Sequence, residues 1–182
     1  TNGAKRLIIG IGGSATNDGG FGMARGLGWE FLDSANNPLP EWPALTQLNS
    51  IVQPLNRPLP PITTAVDVQN PLLGPNGCTR IYGPQKGLNE SDLPIAEDAL
   101  KKLARIWKQQ TDTDAAQLPG SGAAGGLGFG LHCFANAELQ PGFELFARTV
   151  RLVEKLAEAD IVITGEGGMD RQTVMGKGVG EL

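Results

Sequence analysis

The sequence is poor in cysteine, histidine and aromatic residues. Two cysteines and one histidine occur among 182 residues, and Phe, Trp and Tyr together make up 5%. Cys78 and Cys133 match neither a zinc-ligand spacing nor a disulfide framework, which excludes zinc-stabilised and disulfide-stapled scaffolds. Two reduced thiols favour a cytoplasmic protein. His132 stands between Leu131 and Cys133, which favours a packed, hydrogen-bonded side chain over a catalytic one.

The sequence also lacks an excess of basic residues and lacks long apolar runs. Lys and Arg number 15 against 19 Asp and Glu, giving a formal charge of −4. That balance disfavours nucleic acid or an anionic membrane as the main partner. No run approaches the ~18 apolar residues that span a bilayer, and no charged-then-apolar leader is seen. Because the chain begins at Thr1 and enters an apolar run almost at once, we expect a processed or excised segment.

Glycine is the residue in excess, with 26 in the chain. Average usage of ~7% would give about half that number. The glycines cluster between strongly apolar segments instead of spreading evenly, which argues against a disordered, low-complexity chain. Loops of this kind let the backbone approach a ligand closely, so the clusters indicate a binding site.

Apolar runs and their spacing predict an α/β fold within a single domain of residues 1–182. Three β-branched runs, at 6–11, 62–68 and 161–164, are predicted to be buried strands. Further short extended pieces are expected at 29–32 and within 45–55. Helices are expected at 21–27, at 91–109 with Ser91 as a candidate N-cap, and from Phe143 to Ala157. Residues 70–87 read as one long loop, and loops of that length are more often functional than decorative.

Each of the three predicted strands is followed by a loop that carries acidic residues. The first loop holds Asp18, the second Asp67, and the third Glu166 and Asp170. Ligands of open α/β sheets gather outside the carboxyl ends of the strands, so the three loops are expected to face one cleft. Carboxylates among glycines suit Mg²⁺, although Asp is also a common turn former.

The glycine-rich loops leave several interpretations open. Residues 10–15 fit G-x-G-x-x-A, the weak form of the dinucleotide fingerprint, and no P-loop string occurs. Gly122 and Gly125 belong to a stretch that is either a nest of N–H groups for phosphate or a small-residue packing face. Lys86 and Lys177 lie in glycine-flanked loops and are candidates for contacting phosphate.

Four strings in order resemble the signature segments of type I glycerate kinases. They are IIGIGGSATNDGGFGMARGLG, DVQNPLLGPNG with YGPQKG, PGSGAAGGLGFG, and ITGEGGMDRQTVMGKG. The resemblance covers nearly the whole chain, from Arg6 to Lys177. One departure is that Arg171 stands just before Gln172, whereas similar proteins have an arginine soon after GEG.

The resemblance implies a two-domain α/β kinase of about twice this length. One domain is flavodoxin-like and is built from both ends of the full chain, and the other is an inserted domain with a mixed sheet and flanking helices. This chain would be mainly the insert and a fragment lacking most of the flavodoxin-like domain, its missing partner. The implied activity is phosphorylation of D-glycerate by ATP, with the 2-position favoured. A nucleotide-binding oxidoreductase and a non-catalytic binding module are the alternatives.

Phosphoryl transfer needs positioning and charge neutralisation more than covalent chemistry by the protein, and the implied roles follow from that. Backbone N–H groups of the first and third glycine stretches would bind phosphate or the glycerate carboxylate. Three carboxylates would hold Mg²⁺ or accept the hydroxyl proton, and two lysines would offset charge. The expected phosphate- and substrate-binding residues are Gly12, Gly13, Ser14, Asp18, Gly122, Gly125 and Lys177; the expected catalytic residues are Asp67, Glu166, Asp170 and Lys86, with Asp67 and Glu166 as metal ligands.

Overall fold

The structure of the chain, a computed structural model, describes residues 3–55, 58–163 and 165. Its centre is a parallel sheet of three strands in the order β1-β4-β5: β1 (Leu7–Gly10), β4 (Ile62–Val66) and β5 (Glu138–Pro141). A separate antiparallel pair joins β2 (Glu30–Leu32) to β3 (Ser50–Val52). The α/β fold is thereby confirmed, with parallel and antiparallel pairing divided between two sheets.

Six α-helices surround the two sheets in the part of the chain described. They are α1 (Phe21–Gly26), α2 (Cys78–Tyr82), α3 (Leu93–Thr111), α4 (Ala123–Ala135), α5 (Gly142–Thr149) and α6 (Leu152–Ala157). Two 3₁₀ helices cover Trp42–Gln47 and Pro84–Lys86. None of these helices is long and apolar enough to cross a membrane.

The main core lies between α3, α4 and the antiparallel pair. Phe31, Leu45, Leu100 and Phe129 are fully or almost fully buried there. Phe134 is the hub of an aromatic cluster, with edge-to-face contacts to its neighbouring rings at centroid distances of 5.2–6.2 Å. Such pairs contribute beyond the apolar area they bury, so the few aromatic residues are concentrated where they stabilise the fold most.

Several predictions of secondary structure need correction. The first strand forms but is not buried, because β1 is an edge strand and Ile8 is 57% exposed. The expected third strand does not form over residues 161–163, which are exposed and irregular, and Thr164 lies outside the described residues. The expected loop at 70–87 contains a 3₁₀ turn and also α2, whose first residues, Cys78 and Thr79, are buried.

Two helix boundaries also differ from the predictions. The long helix begins at Leu93 with Asp92 as its N-cap, so Ser91 is not the cap. The periodic run after Phe143 is two helices, because Arg151 adopts a left-handed conformation with φ of 55° and interrupts the hydrogen-bond ladder. Hydrophobic spacing continued across that break, which is why the sequence showed one helix there.

Candidate functional site

The loops that follow the three parallel strands leave the sheet from the same edge. Gly10 of β1 is in register with Ala65 of β4, and Val66 is in register with Pro141 of β5. The segments beginning at Ile11, Asp67 and Gly142 therefore start side by side. The Asp18 and Asp67 loops therefore begin at the same end of the sheet, together with the start of α5, which the sequence did not suggest.

The first loop presents its glycines to open space. Gly12 and Gly13 are exposed, and a Cβ atom added to either would meet nothing within 4 Å. Gly13 has a positive φ of 67°, which a side chain would disfavour. Ser14 follows with its side chain half-buried. The loop thus leaves room for a ligand to approach the backbone.

Lys86, the last residue of the second 3₁₀ helix, forms hydrogen bonds with this loop. Its Nζ donates to Ser14 Oγ at 2.9 Å and to the Thr16 carbonyl at 2.7 Å. Burial lowers the pKa of Lys86, and the negative charges of Cys78 and Asp18, when ionised, act in the opposite direction. The predicted phosphate-binding lysine is therefore placed at the glycine loop, bound to its oxygens.

A pocket of about 210 Å³ opens beside this contact. The first loop contributes residues 15–18, and Lys86 and Leu88 come from the segment after α2. Trp42, at the start of a 3₁₀ helix, forms another part of the wall. Cation, loop and pocket are contiguous, so an anion entering the pocket would meet an ammonium group.

Asn17 is a site residue that sequence reasoning missed. It is 5% exposed, lines the pocket, and donates through Nδ2 to Thr79 Oγ1 at 3.1 Å. Its Oδ1 has no hydrogen-bond partner among the described residues. A buried acceptor without a partner is costly, which suits a position where a ligand donates to it. The only sequence signal was its place between Thr16 and Asp18 in the glycine loop.

Asp18 accepts two hydrogen bonds from backbone amides around the start of α1. Its Oδ1 accepts from the Gly20 N–H at 3.0 Å and its Oδ2 from the Gly22 N–H at 2.9 Å. Both oxygens thus satisfy amides at the beginning of α1, as a capping aspartate does. This contact gives Asp18 a local structural function in addition to its place in the pocket wall.

Asp67 directly follows β4 and is exposed. Its Oδ1 lies beside Gly142, the first residue of α5. Among the described residues no group of three or more His, Cys, Asp or Glu side chains could hold a metal ion. Mg²⁺ needs fewer protein ligands, because waters and substrate phosphates complete its shell, so the Asp67 carboxylate remains a suitable ligand.

The structure gives Gly122 and Gly125 a packing function. A Cβ at Gly122 would lie 2.2 Å from the Pro71 carbonyl oxygen, and one at Gly125 would lie 1.9 Å from that of Thr16. The Gly122 N–H donates to the Asn70 carbonyl at 2.9 Å, so that group is not free for phosphate. Of the two interpretations of this stretch, the contacts support close packing, with Gly125 against the first loop and Gly122 against Asn70 and Pro71.

Glu166, Asp170 and Lys177 lie outside the described residues. The dinucleotide fingerprint is not followed directly by a helix, because α1 begins only at Phe21, six residues after Ala15. His132 contacts the Ala137 carbonyl through Nδ1 at 3.1 Å, as expected of a packed histidine.

The whole chain matches a sequence model of the glycerate kinase family, over residues 1–182. Glycerate 2-kinase of Escherichia coli K12 is 42% identical over 180 residues, which are 97% of this chain and 47% of the relative. Glycerate kinase of Bacillus subtilis 168 is 43% identical over 179 residues, with 96% and 47% covered.

A solved structure also matches the fold. The crystal structure of a protein described as glycerate kinase 2 from Salmonella typhimurium LT2 superimposes with a TM-score of 0.81 at 41% identity. The match covers 92% of this chain and 47% of that one. The chain therefore spans about half the length of the relatives it matches.

Proposed function

Since the chain belongs to the glycerate kinase family, we propose that its full-length natural form transfers the γ-phosphoryl group of ATP to D-glycerate. The 2-position is the proposed acceptor, a choice favoured by the relative named glycerate 2-kinase. The remaining half of the length seen in relatives is the proposed partner that completes the site. Both cysteines are free and buried, which supports a cytoplasmic location.

This proposal rests mainly on one observation: Lys86 forms hydrogen bonds with the open glycine loop and also lines the pocket. An ammonium group bound to Ser14 and Thr16 lines a cavity of about 210 Å³. Drug-sized ligands occupy cavities of roughly 300–1,000 Å³, so this one suits a small anion such as a three-carbon hydroxy acid. Lys86 then offsets the charge of a carboxylate or of a phosphoryl oxygen.

The loop backbone and the pocket have separate tasks in this mechanism. Gly12 and Gly13 offer N–H groups to phosphate in open space, and the pocket positions the hydroxy acid next to it. The hydroxyl oxygen bonds to the γ-phosphorus, the bond from that phosphorus to the bridging oxygen of ADP breaks, and the hydroxyl proton passes to a carboxylate. Asn17 Oδ1 is placed to accept a hydrogen bond from the bound acid.

Asp67 is the described carboxylate best suited to assist the transfer. It follows β4 at the sheet edge where the glycine loop also begins. We propose that it either accepts the hydroxyl proton or binds Mg²⁺, with Glu166 and Asp170 as further candidates for these roles. Magnesium would supply positive charge to the phosphate oxygens of ATP.

Replacing Asp67 by Asn tests this assignment. Asn keeps the shape of the side chain and removes the charge, so we expect kcat to fall by roughly 10²–10⁴-fold, the range for general acid–base catalysis. The free energy of unfolding should stay within about 0.5 kcal/mol, because Asp67 is exposed. Both quantities are measured on the full-length natural chain.

The matched control is Asp98→Asn, which removes an exposed carboxylate on α3 that pairs only with Lys101 in the described contacts. It should leave kcat unchanged. A destabilised but fully active Asp67→Asn enzyme would assign Asp67 to the scaffold. Phosphorus NMR of the product identifies the phosphorylated hydroxyl, and tryptophan-to-NADH energy transfer would instead favour the oxidoreductase alternative.

A further inference from the structure

Gly142 lies where a side chain would collide with the Asp67 carboxylate. A Cβ atom built on Gly142 would be 2.4 Å from Asp67 Oδ1, whereas the next nearest atoms, Asp67 Cγ and the Val66 carbonyl oxygen, are both 3.6 Å away. Among the described residues, the only close conflict is thus with the tip of one side chain. The backbone around Gly142 has ordinary room for an alanine.

Register explains why the two residues meet. Val66 is in register with Pro141 on the neighbouring parallel strand, so Asp67 and Gly142 follow at the same sheet edge. Gly142 is also the first residue of α5, whose amino end carries partial positive charge. The Asp67 carboxylate therefore lies beside the first residue of α5. It has room there because Gly142 has no Cβ atom.

This glycine differs from the others that pack closely in the chain. Its φ is not positive, so no backbone conformation requires glycine at this position. At Gly122, Gly125 and Gly128 the added Cβ would strike a backbone carbonyl at about 2 Å, and the fold itself would have to move. At Gly142 the Asp67 side chain can rotate away, which changes the site and spares the fold.

We propose that Gly142 is a positioning residue for Asp67. Its missing side chain leaves room for the Asp67 carboxylate beside the start of α5, at the carboxyl end of β4. The inference rests on the proposed function, because it assigns to Gly142 the placement of a group that takes part in phosphoryl transfer. Substitution should act on turnover through Asp67 and not through stability.

The test is Gly142→Ala in the full-length natural chain. Displacing a catalytic group by about 1 Å can reduce the rate by roughly 100-fold, so we expect kcat to fall by roughly 10- to 100-fold. The melting temperature should not fall, and KM for glycerate should change little. In an Asp67→Ala background the same substitution should have no further effect on kcat, because the group that it displaces is gone.

Gly26→Ala is the matched control, since a Cβ there meets nothing within 4 Å and Gly26 is the last residue of α1. It should keep the kcat of the parent. A Gly142→Ala enzyme with normal kcat, beside an impaired Asp67→Asn enzyme, would overturn the inference and leave the proposed function standing. A crystal structure of Gly142→Ala shows the Asp67 rotamer independently of turnover. An Asp67 carboxylate in its original position would also overturn the inference.

Discussion

Lys86 connects two segments that lie seventy residues apart. Its ammonium group donates to Ser14 Oγ and to the Thr16 carbonyl, and it lines the pocket as well. Burial makes the charged form harder to keep, which lowers its pKa below the ordinary value of a lysine. The residue that contacts the loop therefore loses its charge at a lower pH than a lysine with the ordinary pKa does.

This shift predicts the alkaline limb of the pH–rate profile. As pH rises through the lowered pKa, Lys86 loses the positive charge that the anionic substrate needs, so activity falls before ordinary lysines titrate. The free energy of unfolding changes in the opposite direction. At a pH between the lowered pKa of Lys86 in the folded chain and its ordinary pKa in the unfolded chain, the unfolded chain binds more protons. The contribution of Lys86 to the free energy of unfolding therefore increases as pH rises through this range. Turnover is measured from neutral to strongly alkaline pH.

Lys86→Arg provides the comparison, because a guanidinium stays charged throughout that range. We expect the alkaline limb to disappear or to move to higher pH, whatever the absolute rate of the variant. An identical limb in both proteins would show that another group controls it. Lys86→Met should lose most activity at every pH.

The sequence predicted the position of some residues of the candidate site and not of others. Lys86 was identified because lysine among glycines is unusual, and the structure brings it to the predicted loop. Asn17 was missed, since its importance comes from burial and from a partner, Thr79, that is distant in sequence. Asp18 was expected to bind a ligand, and nothing in its neighbours revealed that its two oxygens accept hydrogen bonds from the Gly20 and Gly22 amides.

At the scale of elements, the glycine-rich stretch at the start of α4 acts as a packing surface. Ala124, Gly125 and Gly126 have left-handed backbone conformations inside this helix. The Gly125 carbonyl accepts from the Gly19 N–H at 3.1 Å, so the first loop is tied to α4 through the backbone. The site loop is thus shaped by a helix that begins more than one hundred residues later.

Gly125→Ala should therefore destabilise the protein strongly. A Cβ there would lie 1.9 Å from the Thr16 carbonyl oxygen, and the φ of 69° is strained for alanine. Strain of that kind alone costs roughly 1–3 kcal/mol, and the collision adds to it. Urea unfolding of the variant beside Gly26→Ala measures the loss, and a Gly125→Ala protein as stable as that control would refute the packing role.

Strands and helices were predictable to the extent that their signals were local. The apolar patterns agree with the strand at 62–66 and with the helix at 93–111. Most residues of the strand are buried, and the helix buries one of its faces in the core. The break at Arg151 and the strand β5 had no such signal. Glu138–Pro141 is a strand only because it pairs with β4, which is a tertiary effect.

At the scale of the whole molecule, the described residues form a buried apolar core and an exposed edge strand, β1. The aromatic cluster around Phe134 is buried, whereas Ile8 on β1 and residues 161–163 are largely exposed. Asp67 is exposed at the same sheet. Because the relatives are about twice as long, we expect catalysis to require segments that the 182 residues do not contain.

The most direct test of the account is an assay of the full-length natural chain with D-glycerate, ATP and Mg²⁺, in which ADP formation is followed with and without glycerate. We expect glycerate-dependent and Mg²⁺-dependent ADP formation, and little or none from the 182 residues alone. A full-length chain that releases no ADP in response to glycerate, although it is folded and binds ATP, would contradict the central claim that this loop, pocket and carboxylate serve phosphoryl transfer.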